Sequence, residues 1–234
     1  MEFNQINDDA EMRLLASLPL YTDGLPVYSP KLLDIADINE SIYHLYASIC
    51  INENLDNSYL PYENKYENIV AYSGDILECF ILALKFITHK EFQRVEYGGK
   101  VFFVTDGATL HHENFNDFVE LIKFSNGFEK KQGNNNKRNL ELDNKIEEAK
   151  RRINERLKKK DKKDDNIRLM DLISVLAAKH HNLNIMNIWD LTIYQFNDQF
   201  KQMQLIENFE IGIRQLLAGA KEKDVKLEHY IKRK

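Results

Sequence analysis

The sequence predicts an α+β protein that is mostly α-helical, and three observations support this prediction. Apolar residues recur every three or four positions through several stretches, most clearly in residues 187–220. The pair Gly98-Gly99 separates two short runs rich in Val and Phe, which is typical of a β-hairpin. Of the 234 residues, 43% are hydrophobic, enough to bury a substantial core. We predict a mixed α+β domain at residues 1–128, a polar linker and basic connector helix at 129–166, and a helical domain at 167–234.

Prolines dominate the beginning of the chain. Pro19, Pro26 and Pro30 lack a backbone N–H and disfavour helix at the residue before them. The first thirty residues are therefore predicted to form an irregular, extended arm with one short strand near Val27.

Two helices are predicted next. Residues 35–51 carry apolar side chains at helical spacing, and residues 52–66 are polar and rich in turn formers, which predicts a loop. Ser73 is a suitable N-cap for a second helix that continues over residues 76–88.

The hydrophobic period then changes from helical to strand-like. Residues 91–104 predict two strands that turn at Gly98-Gly99, and Asp106-Gly107 predicts another turn. A helix over residues 114–124 completes the mixed domain. Four apolar residues lie on one side of it: Phe115, Phe118, Val119 and Ile122.

A polar linker and a charged segment follow. Residues 125–139 are rich in Gly and Asn, and they show no apolar periodicity. Residues 137–163 contain twelve Lys or Arg against six Asp or Glu, a net charge of +6. Because the whole chain carries −5, the remainder carries −11. A narrow apolar stripe within this segment predicts a basic connector helix: Ile146, Ala149, Ile153 and Leu157.

The C-terminal region predicts two helices around a turn, "HHNLN". The first covers residues 167–179, and the second is the long segment 187–220, with Asn184 or Asn187 as its cap and Gly219 as its stop. The apolar stripe of the long helix changes phase between Met203 and Ile206. We therefore expect either a bend or break near residues 204–208, or two halves that face different surfaces.

The apolar stripes of this helix supply the candidate partner-binding residues, because aromatic and Met side chains often anchor protein interfaces. All but Phe209 precede the change of phase. Two interpretations stay open: the stripe packs against its own chain, or part of it faces a partner. The candidates are Trp189, Ile193, Phe196, Phe200, Met203 and Phe209.

No catalytic motif is present in the sequence, so we assign no catalytic residue, metal ligand or cofactor. The "YGGK" segment lies in a predicted hairpin, and therefore it cannot offer helix amides to a phosphate. Adjacent histidines at 111–112 and 180–181 diverge on a helix, which disfavours joint metal binding. The expectation is a protein without enzymatic activity.

Cys50 and Cys79 are predicted to be buried free thiols, which suits a reducing cytoplasm. No stretch approaches the apolar length of a membrane span, and we expect no membrane partner.

The basic segment is the best candidate for nucleic-acid contact. Its clusters contain no aromatic residues for base stacking, and acids neutralise half of its charge, so a solvated connector is the favoured interpretation. The possible contact residues are Lys150, Arg151, Arg152, Lys158, Lys159 and Lys160.

Residues 171–221 resemble the C-terminal region of tail-gene-cluster proteins from phages of Gram-positive bacteria. The resemblance lies in "NIWDLTIYQFNDQF", in "LIENFEIGIRQLLAGA", and in the charged connector before them; "GLPVY" to "LLDIADI" near the N-terminus is also similar. Such proteins resemble tail assembly chaperones, which bind the tape measure protein and tail tube subunits while the tail forms.

The resemblance implies a non-enzymatic phage tail assembly chaperone or morphogenesis protein that binds apolar helical segments of tail proteins in the host cytoplasm. A homo-oligomer is compatible with this function. Two alternatives stay open: a structural or accessory protein of the virion, and a regulatory nucleic-acid-binding protein that acts through the basic helix.

Overall fold

A computed structural model describes residues 3–51, 65–71, 73–127, 168–221 and 225 of the chain. The predicted fold class is confirmed: the described residues form an α+β protein that is mostly helical, with two small antiparallel sheets. The chain divides into two compact units, residues 1–128 with 173–234, and residues 129–172. The predicted division into three domains stays a prediction.

The chain begins with a helix, α1 (Phe3–Leu15), so the predicted irregular arm is wrong for these residues. The prolines that suggested the arm occur only from Pro19 onward, whereas Phe3, Ile6, Ala10 and Leu14 keep helical spacing. Two short strands follow, β1 (Leu20–Thr22) and β2 (Leu25–Val27), and they pair antiparallel. The strand predicted near Val27 is confirmed.

The helix predicted over residues 35–51 is divided in two, α2 (Leu32–Ile38) and α3 (Glu40–Ile51). Asn39 causes the division, because its positive φ of 71° ends α2. Its side-chain Oδ1 then accepts the N–H of Ile42 at 3.0 Å in the first turn of α3.

Helix α4 (Lys65–Val70) was not predicted, and it precedes α5 (Gly74–Thr88), which was. Ser73 is the N-cap of α5, as predicted, but its side chain forms no capping hydrogen bond. The rest of the predicted loop, residues 52–64, lies outside the described residues.

The predicted hairpin is confirmed as β3 (Gln93–Tyr97) and β4 (Lys100–Thr105), joined by Gly98-Gly99. Both glycines have positive φ, as a two-residue type I′ turn requires. The turn at Asp106-Gly107 is also confirmed, and it leads into a third antiparallel strand, β5 (Ala108–Leu110), in the order β3-β4-β5.

Helix α6 (Phe115–Ser125) buries the four apolar residues predicted for one of its sides. They join the main core, where the rings of Phe80 and Phe103 meet edge to face with centroids 5.0 Å apart.

The Tyr66 hydroxyl donates to the carbonyls of Val101 and Leu110, at 2.8 and 3.2 Å. Burial raises the pKa of Tyr66 to about 12.

The C-terminal region contains α7 (Leu169–Lys179), a 3₁₀ turn (Ile188–Asp190) and α8 (Ile193–Leu217). The long helix therefore begins at Ile193 rather than Asn187, and its N-cap is Thr192 rather than Asn184 or Asn187. It is continuous through residues 204–208, which excludes a break there and leaves the two other expected alternatives, a bend or two halves that face different surfaces. Gly219 ends it as predicted, with Gly219 N bonded to Leu216 O and Ala220 N to Gln215 O.

Most of the polar linker and all of the basic connector lie outside the described residues. No helix in the described part of the chain combines the length and hydropathy that are needed to cross a membrane.

Candidate functional site

The candidate site is a groove along α8, and the start of this helix is set by a capping box. The Thr192 hydroxyl oxygen accepts the N–H of Gln195 at 3.2 Å, and the Gln195 side-chain oxygen accepts the N–H of Thr192 at 2.9 Å. These two bonds satisfy N–H groups that an uncapped helix leaves unpaired. They end the preceding 3₁₀ turn and begin α8.

Backbone bonds attach this end of α8 to residues 29–32. Leu32 N donates to Leu191 O at 2.9 Å, and Ile193 N donates to Pro30 O at 2.8 Å. Between these bonds, Lys31 and Thr192 form an isolated antiparallel bridge. The position of α8 is therefore set partly by main-chain pairing, as between two strands.

Side chains of the first turns of α8 add contacts to the N-terminal half of the chain. Gln195 Nε2 donates to the carbonyl of Leu15 at 2.7 Å, and Asn197 Nδ2 donates to the carbonyl of Asn126 at 3.4 Å. The Phe196 side chain is 1% exposed, and its ring stacks on that of Phe200. The first half of α8 is thus held by its own chain.

The end of α7 forms the opposite wall of the groove. His180 Nδ1 accepts the N–H groups of Asn182 and Leu183, at 3.2 and 3.1 Å, and these bonds shape the turn after α7. Lys179, in the last turn of α7, forms an ion pair with Glu207 in the middle of α8. This pair connects the two helices, and both of its residues line the groove.

The groove between these elements has a volume of about 710 Å³. Three apolar side chains line it, Met203, Ile206 and Ile211, and of these Ile206 is 41% exposed and Ile211 is 51% exposed. The charged lining is balanced, because Glu207 pairs with Lys179 and Glu210 lies 3.4 Å from Arg214. The remaining lining is polar: His180, His181, Asn182, Gln199 and Gln202.

The structure separates the six predicted partner-binding residues. Ile193 and Phe196 are buried, whereas Phe200, Met203 and Phe209 are half-buried. Trp189 precedes α8 in the 3₁₀ turn, where its indole N–H donates to Ile185 O at 2.8 Å. Only Met203 lines the groove, so these six residues do not form one surface.

Sequence reasoning missed most of the groove. Its α8 residues follow helical spacing on one face, from Gln199 through Met203 and Ile206 to Glu210 and Arg214. The polar members disguise this pattern, since a search for apolar periodicity passes over Gln, Glu and Arg. The contribution of α7 depends on tertiary packing.

The remaining candidates from the sequence are the basic residues, a metal site and the two cysteines. The basic residues proposed for nucleic-acid contact lie outside the described residues. Within the described ranges, no three His, Cys, Asp or Glu side chains are grouped as a metal would require. Cys50 and Cys79 are free; Cys50 is buried, which raises its thiol pKa, and Cys79 is half-buried.

Comparison with known families matches residues 158–233 to the family described as the YomV second domain, a phage-associated family. The matched segment contains α7, α8 and every residue that lines the groove. The resemblance to phage proteins is thus supported at the level of a phage-associated domain. Searches of curated proteins and of solved structures found no match.

Proposed function

We propose that this chain is a non-enzymatic phage tail assembly chaperone or morphogenesis protein that binds an apolar helical segment of another tail protein in the α8 groove. The observation that carries the proposal is the group of exposed or half-exposed apolar side chains, Met203, Ile206 and Ile211, which line an open groove. The match of the same segment to a phage-associated family supports a role in phage biology.

The dimensions of the groove suit a helix as the bound element. Its lining on α8 extends from Gln199 to Arg214, which corresponds to roughly 22 Å of helix. A partner helix of about four turns would match this length, with its apolar stripe against Met203, Ile206 and Ile211. The unbranched thioether of Met203 adapts to different side chains, as is useful for a protein that binds several registers of a repetitive helix.

The partner class follows from the resemblance to tail-gene-cluster proteins. A tape measure protein is a long helix with an apolar stripe that needs cover until the tail tube closes around it. In the proposed role, the chain shields such a stripe in the host cytoplasm and leaves before the virion is complete.

The test is co-expression with the tape measure protein and the tail tube protein of the same phage, followed by affinity capture. We expect the unmodified chain to retain the tape measure protein. Ile206→Glu and Met203→Glu place a charge in the apolar lining, and each should reduce capture by about tenfold or more. Leu33→Glu is the matched control, because Leu33 is an exposed apolar residue on α2 that does not line the groove.

Equal capture by the Ile206→Glu and Leu33→Glu variants would reject the groove as the binding site. Finding the chain in stoichiometric amounts in purified virions would instead favour the alternative of a virion structural protein.

A further inference from the structure

Among the residues that the structure describes, strand β3 forms an edge of the three-stranded sheet, and it is exposed along its whole length. All five of its residues are exposed, including Val95 at 41% and Tyr97 at 81%. Exposed edges carry unpaired N–H and C=O groups that can bind another strand, and many proteins block them with proline, a bulge or charged side chains, especially lysine. The charges of β3 are one of each sign, Arg94 and Glu96. The β3 sequence, QRVEY, contains neither proline nor lysine, and its pairing with β4 is regular.

The register of the hairpin shows which backbone groups of β3 point outward. Tyr97 and Lys100 close a two-residue turn, so they form a hydrogen-bonded pair. Because hydrogen-bonded pairs alternate along an antiparallel ladder, Val95 and Phe102 form the next one. Arg94 and Glu96 occupy the alternate positions, where the N–H and C=O groups point away from β4. The second turn agrees with this alternation, because Thr105 pairs with Ala108 and Phe103 with Leu110 on the other side of β4.

We propose that β3 pairs antiparallel with β3 of a second copy of this chain, about a two-fold axis at Val95. In this arrangement Arg94 lies opposite the partner's Glu96, and Glu96 lies opposite the partner's Arg94. The outward amides and carbonyls of these residues form four hydrogen bonds, and the side chains form two ion pairs. The result is a continuous six-stranded antiparallel sheet.

Charge selects this register over its neighbours. Only registers that place outward-facing residues opposite each other can form the hydrogen bonds. A shift of the axis to Arg94 sets two arginines opposite each other, and a shift to Glu96 sets two glutamates opposite each other. Like charges directly opposite are destabilising. Because Arg94 and Glu96 flank Val95 with opposite charges, the axis at Val95 is favoured.

Apolar side chains on the outer face of the sheet extend across the proposed junction. Val95 shares this face with Phe102, its neighbour on β4, which is half-buried. In the dimer, Val95 contacts the partner's Val95, and the row continues to Phe102 on one side and to the partner's Phe102 on the other. This contact removes water from apolar surface that is exposed in a single chain.

A five-residue edge buries less area than a standard stable interface of about 1,200–2,000 Å². We therefore expect a weak dimer that forms as the protein concentration rises. The proposal is independent of the α8 groove, since β3 contributes no residue to it.

A charge-swap series tests the pairing by analytical ultracentrifugation over a wide range of concentration. Arg94→Glu alone or Glu96→Arg alone creates two like-charged pairs in each dimer, and each should weaken association by about tenfold or more. The double variant R94E/E96R restores opposite charges, and its association should return to nearly that of the unmodified chain. Lys201→Glu, an exposed charge reversal on α8 outside the groove, should change nothing.

Cross-linking gives a second measurement that does not depend on a high affinity. Val95→Cys places two thiols at the axis, in a non-hydrogen-bonded pair with Cα atoms about 4.5 Å apart, which is within disulfide range. Arg94→Cys is the control, because the two copies of position 94 lie diagonally, beyond that range.

A chain that stays monomeric at every concentration would overturn the proposal. So would a double variant that associates no better than the single variants, or equal cross-linking of Val95→Cys and Arg94→Cys. Circular dichroism of each variant confirms that the fold is retained.

Discussion

The two halves of α8 have similar apolar spacing but different surroundings. The first half, from Ile193 to Phe200, is attached to the N-terminal half of the chain by backbone and side-chain hydrogen bonds. The second half, from Met203 to Leu217, presents exposed apolar side chains, with Leu217 83% exposed. The same residue types thus stabilise the fold in one half and leave a surface for binding in the other.

Helix geometry explains this difference. At about 100° per residue, the stripe of Ile193, Phe196, Phe200 and Met203 and the stripe that begins at Ile206 differ in direction by roughly 140°. Three charged residues continue the line of the first stripe: Glu207, Glu210 and Arg214. A buried face therefore becomes a charged groove within one continuous helix, since charged side chains are costly to bury fully.

The two halves of α8 should differ most in how much stability is lost when an apolar side chain is removed. Phe196→Ala removes a ring that is 1% exposed, and it should lower the free energy of unfolding by about 3–5 kcal/mol. Ile206→Ala, at a side chain that is 41% exposed, should lower it by less than about 1 kcal/mol. Urea denaturation measures both. Similar losses for the two variants would mean that the second half is also packed into the fold.

The next largest expected effect is a loss of stability when the contact between the end of α6 and the first half of α8 is disturbed. Gly127 has a φ of +71°, and an added Cβ would lie 2.7 Å from Asn197 Nδ2. Gly127→Ala should therefore cost about 1–2 kcal/mol of stability from left-handed backbone strain, and about 1 kcal/mol more for the displaced hydrogen bond to Asn126.

Gly107→Ala is the matched control, because Gly107 has a φ of +81° and no atom would lie within 4 Å of its Cβ. It should show the backbone cost alone in thermal or urea unfolding. If Gly107→Ala is the more destabilising of the two, the contact at Asn197 does not contribute to the attachment of α8.

Local sequence signals were sufficient to predict much of this fold. The Gly98-Gly99 hairpin and the apolar side of α6 depend on residues that are close in sequence, and the structure confirms both. The division at Asn39 was missed because apolar spacing continues through it. The start of α8 was missed although "TIYQ" (Thr192–Gln195) is a capping-box pattern, since the apolar stripe appeared to begin earlier, at Trp189.

The groove could not be predicted in the same way. Its α8 side mixes Gln, Glu and Arg with Met203, Ile206 and Ile211, so it lacks an apolar pattern. Its other side depends on the turn at His180 and on the ion pair between Lys179 and Glu207, which bring distant residues together. Tertiary contacts of this kind are not encoded in the periodicity of a single helix.

A smaller effect tests the beginning of the attached half. Thr192→Ala removes the capping hydrogen bond to Gln195, and should lower the free energy of unfolding by about 1 kcal/mol. Ser73→Ala is a close control, because Ser73 occupies the N-cap of α5 without a capping hydrogen bond. Its loss should be a few tenths of a kcal/mol at most. Equal losses would show that the hydroxyl at Thr192 does not set the start of α8.

The smallest expected effect on stability belongs to the groove itself. Ile206→Glu changes a side chain that is 41% exposed, where the carboxylate can remain hydrated, so the free energy of unfolding should change by less than about 0.5 kcal/mol. Urea denaturation of this variant makes its capture of the tape measure protein interpretable, because a lost interaction with unchanged stability must come from the groove surface. A loss of several kcal/mol would instead show that Ile206 supports the fold, and the two halves of α8 would then differ less in role than their exposure indicates.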